Sequence, residues 1–183
     1  MTAARLLHGC KYCAMSDPKT LYRLTKSLPY LLNRVGVQMG ELFSRRIAGF
    51  GVTLPMYRVM AALWETGDQR LGDLAAMTTI ELSTLSRLVG EMKRRGLVSR
   101  SRLKDNGRTV AINLAPKGRA LVEQLMPIAI HFEEVAVRNF SSKNISELKM
   151  VLEEIHLSLK SLEPEVKEAD TKRRTARPKT QLT

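Results

Sequence analysis

Aromatic residues are scarce in this chain, at 5% of the sequence. Proteins that hold single-stranded nucleic acid or RNA loops stack bases on such rings, so that mode of binding is disfavoured. Cysteine is scarcer: Cys10 and Cys13 are the only two, which excludes a disulfide framework. With His8 they spell His-x-Cys-x-x-Cys, three donors where a closed zinc site needs four. No metal or other cofactor is therefore expected. The two thiols are assigned to a flexible leader over residues 1–19, with Met15 as an alternative start. No apolar run approaches the roughly 18 residues that suggest a membrane span, and Met1 to Leu7 is too short for a secretion signal. The expectation is a cytoplasmic protein with no membrane partner. Nor is there a nucleophile beside a base, a Gly-rich phosphate loop or a metal cluster. The histidines His8, His131 and His156 are scattered, so no enzyme is expected.

Acidic residues are in deficit. Thirty Lys and Arg against eighteen Asp and Glu leave a net charge of +12, and the sequence pI is near 10.1. Such an excess favours polyanions, either nucleic acid or an anionic membrane face. At 183 residues, 44% of them apolar, the chain is long enough to bury a real core.

Hydrophobic spacing predicts the elements. Ser27 is placed to cap a helix with Pro29 in its first turn, and Leu28, Leu31, Leu32, Val35, Met39, Leu42 and Phe43 recur at helical steps until about Gly49. Thr53 and Pro55 open a second helix that Gly67 ends. A short helix over Gly72 to Thr78 and a longer one over Leu82 to Arg95 follow, stopped by Gly96. Leu97 to Leu103 and Thr109 to Leu114 read as strands, with a turn signal at Asn106-Gly107 between them. Pro116 opens a helix to about Asn139, with a bend expected at Pro127. The last helix spans Lys143 to Leu162 and carries Leu148, Leu152, Ile155, Leu159 and Leu162 on one side. Beyond it, residues 163–183 are Lys- and Arg-rich and read as a disordered basic tail.

The predicted fold is mainly α with a small β-hairpin wing (α+β): a winged helix-turn-helix flanked by N- and C-terminal dimerisation helices. The domain covers residues 20–162, with a DNA-binding lobe at about 53–115 and dimerisation helices at about 27–48 and 116–162. Within the Leu82 to Arg95 helix, Leu85, Leu88, Val89 and Met92 share the inward face. Ser83, Arg87, Gly90 and Arg94 share the other, flanked by Thr84, Ser86 and Glu91. Small hydroxyl side chains let a helix sink into the major groove, and arginine can pair bidentately with guanine. The hairpin that follows carries Arg100, Arg102, Lys104 and Arg108, suited to phosphates or a narrow minor groove.

Taken together, Leu74-Ala75, Ser83-Thr84-Leu85-Ser86-Arg87-Leu88-Val89, Arg95-Gly96-Leu97-Val98-x-Arg100, Asp105-x-x-Arg108 and Leu114-x-Pro116-x-Gly118 resemble the pattern of the MarR family over about Ser27 to Leu162. The resemblance implies a homodimer whose first and last two helices interlock. It also implies a double-stranded, pseudo-palindromic operator, read by Ser83, Thr84, Ser86, Arg87 and Arg94 in the major groove and by Arg102, Lys104 and Arg108 from the wing, with Asp105 orienting Arg108. The implied function is a transcriptional repressor released by a small, aromatic effector; a thiol-based redox sensor and a non-specific architectural DNA binder are the alternatives. Effectors of the family sit between the dimer helices and the DNA lobe, which nominates Tyr30, Arg34, Met39, Met56, Met60, Trp64 and His131. Four departures stand out. Glu81-Leu82 replaces the usual Asp-Pro and is expected to cap more weakly. Gly90 stands where the family carries an acid, the wing has one extra residue, and Ala115 replaces a capping threonine.

Overall fold

A computed structural model describes residues 23–103, 106–165 and 168, with backbone alone at 102, 103 and 106–109. The leader with Cys10 and Cys13 and most of the expected basic tail lie outside the described residues. Residues 163–165 have helical backbone after a turn at 161 and 162, so helical backbone is found beyond the expected boundary at 162. The chain falls into two compact units, Met1–Phe132 and Glu133–Thr183.

In the first unit a 3₁₀ turn, Leu24–Lys26, precedes helix α1 (Leu28–Ile47). Ser27 takes the N-cap position, and its hydroxyl donates back to the Leu24 carbonyl at 2.8 Å. After a second 3₁₀ turn, Ala48–Phe50, Gly51 adopts a left-handed φ of 68°. Helix α2 (Leu54–Thr66) starts as expected, with Thr53 Oγ1 accepting from the Met56 N–H at 3.4 Å. Gly67, with φ of 76°, ends it. Helix α3 (Leu71–Thr78) and helix α4 (Leu82–Arg94) complete the helix-turn-helix, and α5 (Pro116–Val137) continues through Pro127 without a break.

The sheet differs from the expected hairpin in two respects. Gln69–Arg70 adds a short strand, β1, beside β2 (Val98–Leu103) and β3 (Asn106–Leu114), so the order is β1-β3-β2, all antiparallel. Two residues between helices are too few for a periodicity signal, which is why the sequence concealed β1. The second difference corrects the turn: Asn106 and Gly107 belong to β3, and Asn106 pairs with Leu103. Arg102 pairs with Val110, so residues 107–109 bulge between two successive pairs.

One core joins these elements. Ile47, Met56, Val59, Met60, Leu63, Leu74, Leu85, Val89, Met92, Leu97, Val98, Ile112, Val122 and Leu125 form a contiguous buried cluster. Thr78, a buried polar residue, satisfies its hydroxyl by donating to the Leu74 carbonyl at 2.6 Å. Arg119 lies over the half-buried Trp64, 5.2 Å from the ring centroid. Among the described residues no single helix is long and apolar enough to cross a membrane.

In the second unit, Ser141 caps helix α6 (Ser142–Lys160), accepting from the Asn144 N–H at 3.2 Å. Glu133 and Lys149 form an exposed ion pair at 2.6 Å. No residue of α6 is buried, although its leucine stripe is as regular as that of a core helix.

Candidate nucleic-acid interface

Helix α4 is fixed from beneath and free above. Leu85, Val89 and Met92 are fully buried, at the four- and three-residue steps that bring side chains to one face. The opposite face leaves Ser83, Thr84, Ser86, Arg87 and Arg94 exposed, with Gly90 partly covered. Inward packing thereby sets the rotation of the helix and presents the five expected DNA-reading side chains together.

The start of α4 corrects the expectation of a weak cap. The Glu81 carboxylate accepts from the Ser83 N–H at 3.0 Å and the Thr84 N–H at 2.9 Å, and from the Ser83 hydroxyl as well. The longer side chain reaches the same donors that a shorter acid would. The Ser83 hydroxyl, then the Ser83 and Thr84 N–H groups, lower the Glu81 pKa from 4.5 to about 2. Because the Ser83 proton is committed to Glu81, Ser83 presents an acceptor to any outside partner, such as the exocyclic amine of adenine or cytosine.

The lowered value gives a pH prediction. An acid held below its unfolded pKa supports the folded state fully above that unfolded value, and the support is lost as pH falls through the folded value. Between about pH 5 and pH 2 the parent should therefore lose thermal stability faster than Glu81→Gln. Melting curves across that window check this; a parent–variant difference independent of pH would rule out the carboxylate cap.

At the far end of α4, Arg95 makes contacts that no local pattern predicts. Its guanidinium donates to the Gly51 carbonyl and to Met56 Sδ at 3.1 Å, and pairs with Glu91 at 3.6 Å. The end of the recognition helix is thereby tied to the junction of α1 and α2. A reach of 44 residues leaves no local signature. Gly96, at φ of 71°, then turns the chain into the wing. Arg100 is exposed on β2, and Arg102 and Arg108 lie in β2 and β3. Lys104 and Asp105 lie outside the described residues.

The residues nominated for an effector differ in burial. Met56 and Met60 are fully committed to the core. Arg34, Met39 and His131 are exposed, while Tyr30 and Trp64 are half-buried. His131 rests edge-on to Phe132, with centroids 6.5 Å apart. A groove of about 690 Å³ does open along α1 and α2, lined by Asn33, Gly36, Val37, Gly40, Glu41, Ser44, Arg45, Leu54 and Arg58. A smaller hollow of about 340 Å³ lies between α2 and α3, beside Tyr57, Glu65 and Thr79. The small and polar residues at helical spacing from Asn33 to Ser44 were the available signal, overshadowed by the leucine stripe on the same helix. Among the described residues no cluster of His, Cys, Asp and Glu suits a metal ion.

Comparison with known proteins gives the same picture. The MarR family profile matches residues 52–110, which run from α2 into β3. The HTH-type transcriptional repressor IacR of Pseudomonas putida is 22% identical over 133 residues, covering 73% of this chain and 80% of the relative. A solved MarR family transcriptional regulator from Silicibacter pomeroyi is 27% identical, with a TM-score of 0.69 over 76% of this chain and 92% of that one. CouR from Rhodococcus jostii, solved with p-coumaroyl-CoA bound, is 21% identical with a TM-score of 0.68, over 73% of this chain and 94% of its own. Residues 52–110 thus carry a MarR family domain, and a helix-turn-helix with an exposed polar and basic face, a wing and this set of relatives make the chain similar to MarR family transcriptional regulators.

Proposed function

We propose that the protein represses transcription as a homodimer on a pseudo-palindromic operator and leaves it when a small anionic or aromatic effector binds. The observation that carries the DNA assignment is the sidedness of α4, whose buried Leu85, Val89 and Met92 turn Ser83, Thr84, Ser86, Arg87 and Arg94 outward. In this reading α4 enters the major groove, and Arg102, Lys104 and Arg108 of the wing reach phosphates and the adjoining minor groove. Asp105 is retained as the partner proposed to orient Arg108. The effector reading moves from the nominated side chains to the groove along α1 and α2. Arg45 and Arg58 offer two cations there beside apolar Val37 and Leu54, and the ligand of CouR pairs a phenolic ring with a phosphate-rich carrier. An effector seated there would press on the α1–α2 junction that Arg95 ties to α4.

The two DNA-reading elements separate experimentally. Arg87→Ala should cost about 1–3 kcal/mol on the operator and blur discrimination at one base pair in each half-site. Arg108→Ala should weaken binding more evenly, with any lost preference confined to AT-rich flanks, and should lower the salt slope by about one unit per half-site. Binding of both variants to single-base operator variants at several salt concentrations decides the matter. Base-specific loss from Arg108→Ala with uniform loss from Arg87→Ala would reverse the assignment. Equal affinity of the parent for every duplex would favour the architectural reading.

A further inference from the structure

The hollow of about 340 Å³ between α2 and α3 shares only Arg58 with the groove along α1 and α2. Four of its lining residues, Arg58, Ala61, Ala62 and Glu65, follow one another on a single face of α2. The strip therefore has a cation at one end, an anion at the other and two small apolar side chains between. Arg58 and Glu65 are two turns apart, about 10 Å along the axis. Both are exposed, and neither forms an ion pair among the described residues.

The remaining walls complete the picture. Tyr57 presents an aromatic ring, held against Phe43 with centroids 4.7 Å apart. Burial pushes its phenol pKa up, so it adds no charge at neutral pH. Exposed Met77 adds a pliable apolar side chain. The Thr78 hydroxyl donates to the Leu74 carbonyl at 2.6 Å, and the Thr79 hydroxyl to the Thr78 carbonyl at 2.7 Å. With those protons committed, both hydroxyls offer a neighbour only lone pairs. Thr79, at a positive φ of 55°, also opens the turn into α4.

We infer that this hollow binds a small zwitterion whose ammonium and carboxylate stand at opposite ends of one apolar ring. The carboxylate meets Arg58, the ammonium meets Glu65 with help from the threonine acceptors, and the ring covers the two alanines. A volume near the lower limit for small-molecule sites suits one ring. The site differs in place and in ligand charge from the groove proposed for the effector, and it stands whether or not that reading does.

The probe is 4-(aminomethyl)benzoate, with 4-methylbenzoate and 4-methylbenzylamine as analogues that each keep one charge. Titration of the full chain labelled at its methionine methyl groups follows Met77, whose signal is identified by its loss in Met77→Leu. The zwitterion should shift that signal saturably, with Kd on the order of 1 mM, and each analogue should bind at least about fivefold more weakly. Glu65→Gln should weaken the zwitterion to the level of 4-methylbenzoate and leave 4-methylbenzoate itself unaffected. Arg58→Gln should do the same with respect to 4-methylbenzylamine. Both replacements are on exposed positions, and melting curves matching the parent confirm that each variant is folded. An unmoved Met77 signal would overturn the inference, as would equal binding of either analogue by the parent. Zwitterion binding that survives Glu65→Gln but is lost in Glu41→Gln would overturn it too, placing the ligand in the α1–α2 groove.

Discussion

Replacing Gly118 by alanine is expected to lower the melting temperature by about 6–12 °C, corresponding to roughly 3 kcal/mol, the upper end for an overpacked site in a domain of this size. A Cβ at this position would lie 2.0 Å from the Leu97 carbonyl oxygen and 2.9 Å from its carbon. Both obstacles are backbone, so no rotamer change relieves them. The same carbonyl accepts the Ala115 N–H at 3.1 Å, which pins the start of α5 to the residue before β2. Moving α5 away would break that bond and open the core around Leu97, Val122 and Leu125. Gly72→Ala is the matched control, because nothing lies within 4 Å of its added methyl group. Equal melting temperatures for Gly118→Ala and the parent would show that α5 does not approach β2 this closely.

Gly118 illustrates how the sequence was informative without being explanatory. The Leu114-x-Pro116-x-Gly118 pattern marked the position, but the reason is a contact across 21 residues that no local signal encodes. Elements whose cause is local were legible: Thr53 capping α2, Gly67 and Gly96 ending helices with positive φ, and the Leu85, Val89 and Met92 stripe that orients α4. Elements set by tertiary pairing were not. Strand β1 exists because Gln69 and Arg70 find β3 beside them, and Asn106-Gly107, a strong hairpin signal, was drawn into β3 by pairing with Leu103.

The candidate site divides along the same line. The outward-facing residues of α4 follow from helical geometry once its inward face is known. The effector residues do not, because a groove is defined by two elements, and Met56 and Met60 belong on helical spacing to either a pocket or a core. Burial assigns both to the core. Glu81 differs for another reason: residue type alone predicts a weak cap, while its two backbone bonds depend on a side chain long enough to fold back over the helix start.

Leu152→Arg should have the largest effect on function, dissociating the dimer and lowering operator affinity by at least about a hundredfold, since a half-site reader loses its tethered partner. Helix α6 carries Leu148, Leu152 and Leu159 on one stripe, all exposed, with Leu152 the least so at 37%. Helix α1 leaves Leu28, Leu31, Leu32, Val35, Met39 and Leu42 uncovered in the same way. Most of a helix's stability in a protein comes from packing its apolar face, and no residue of α6 is buried, so a second copy of the chain is the proposed cover. In a twofold interface each substitution enters twice. An arginine with no acid to meet it costs on the order of 3 kcal/mol or more per site once buried. Glu154→Arg places the same cation on the opposite side of α6 and should leave the dimer intact. Sedimentation velocity at micromolar concentration, followed by titration with operator duplex, reads both consequences. A folded monomer in the parent would refute the dimer. A Leu152→Arg protein that stays dimeric and binds at full strength would place the interface elsewhere.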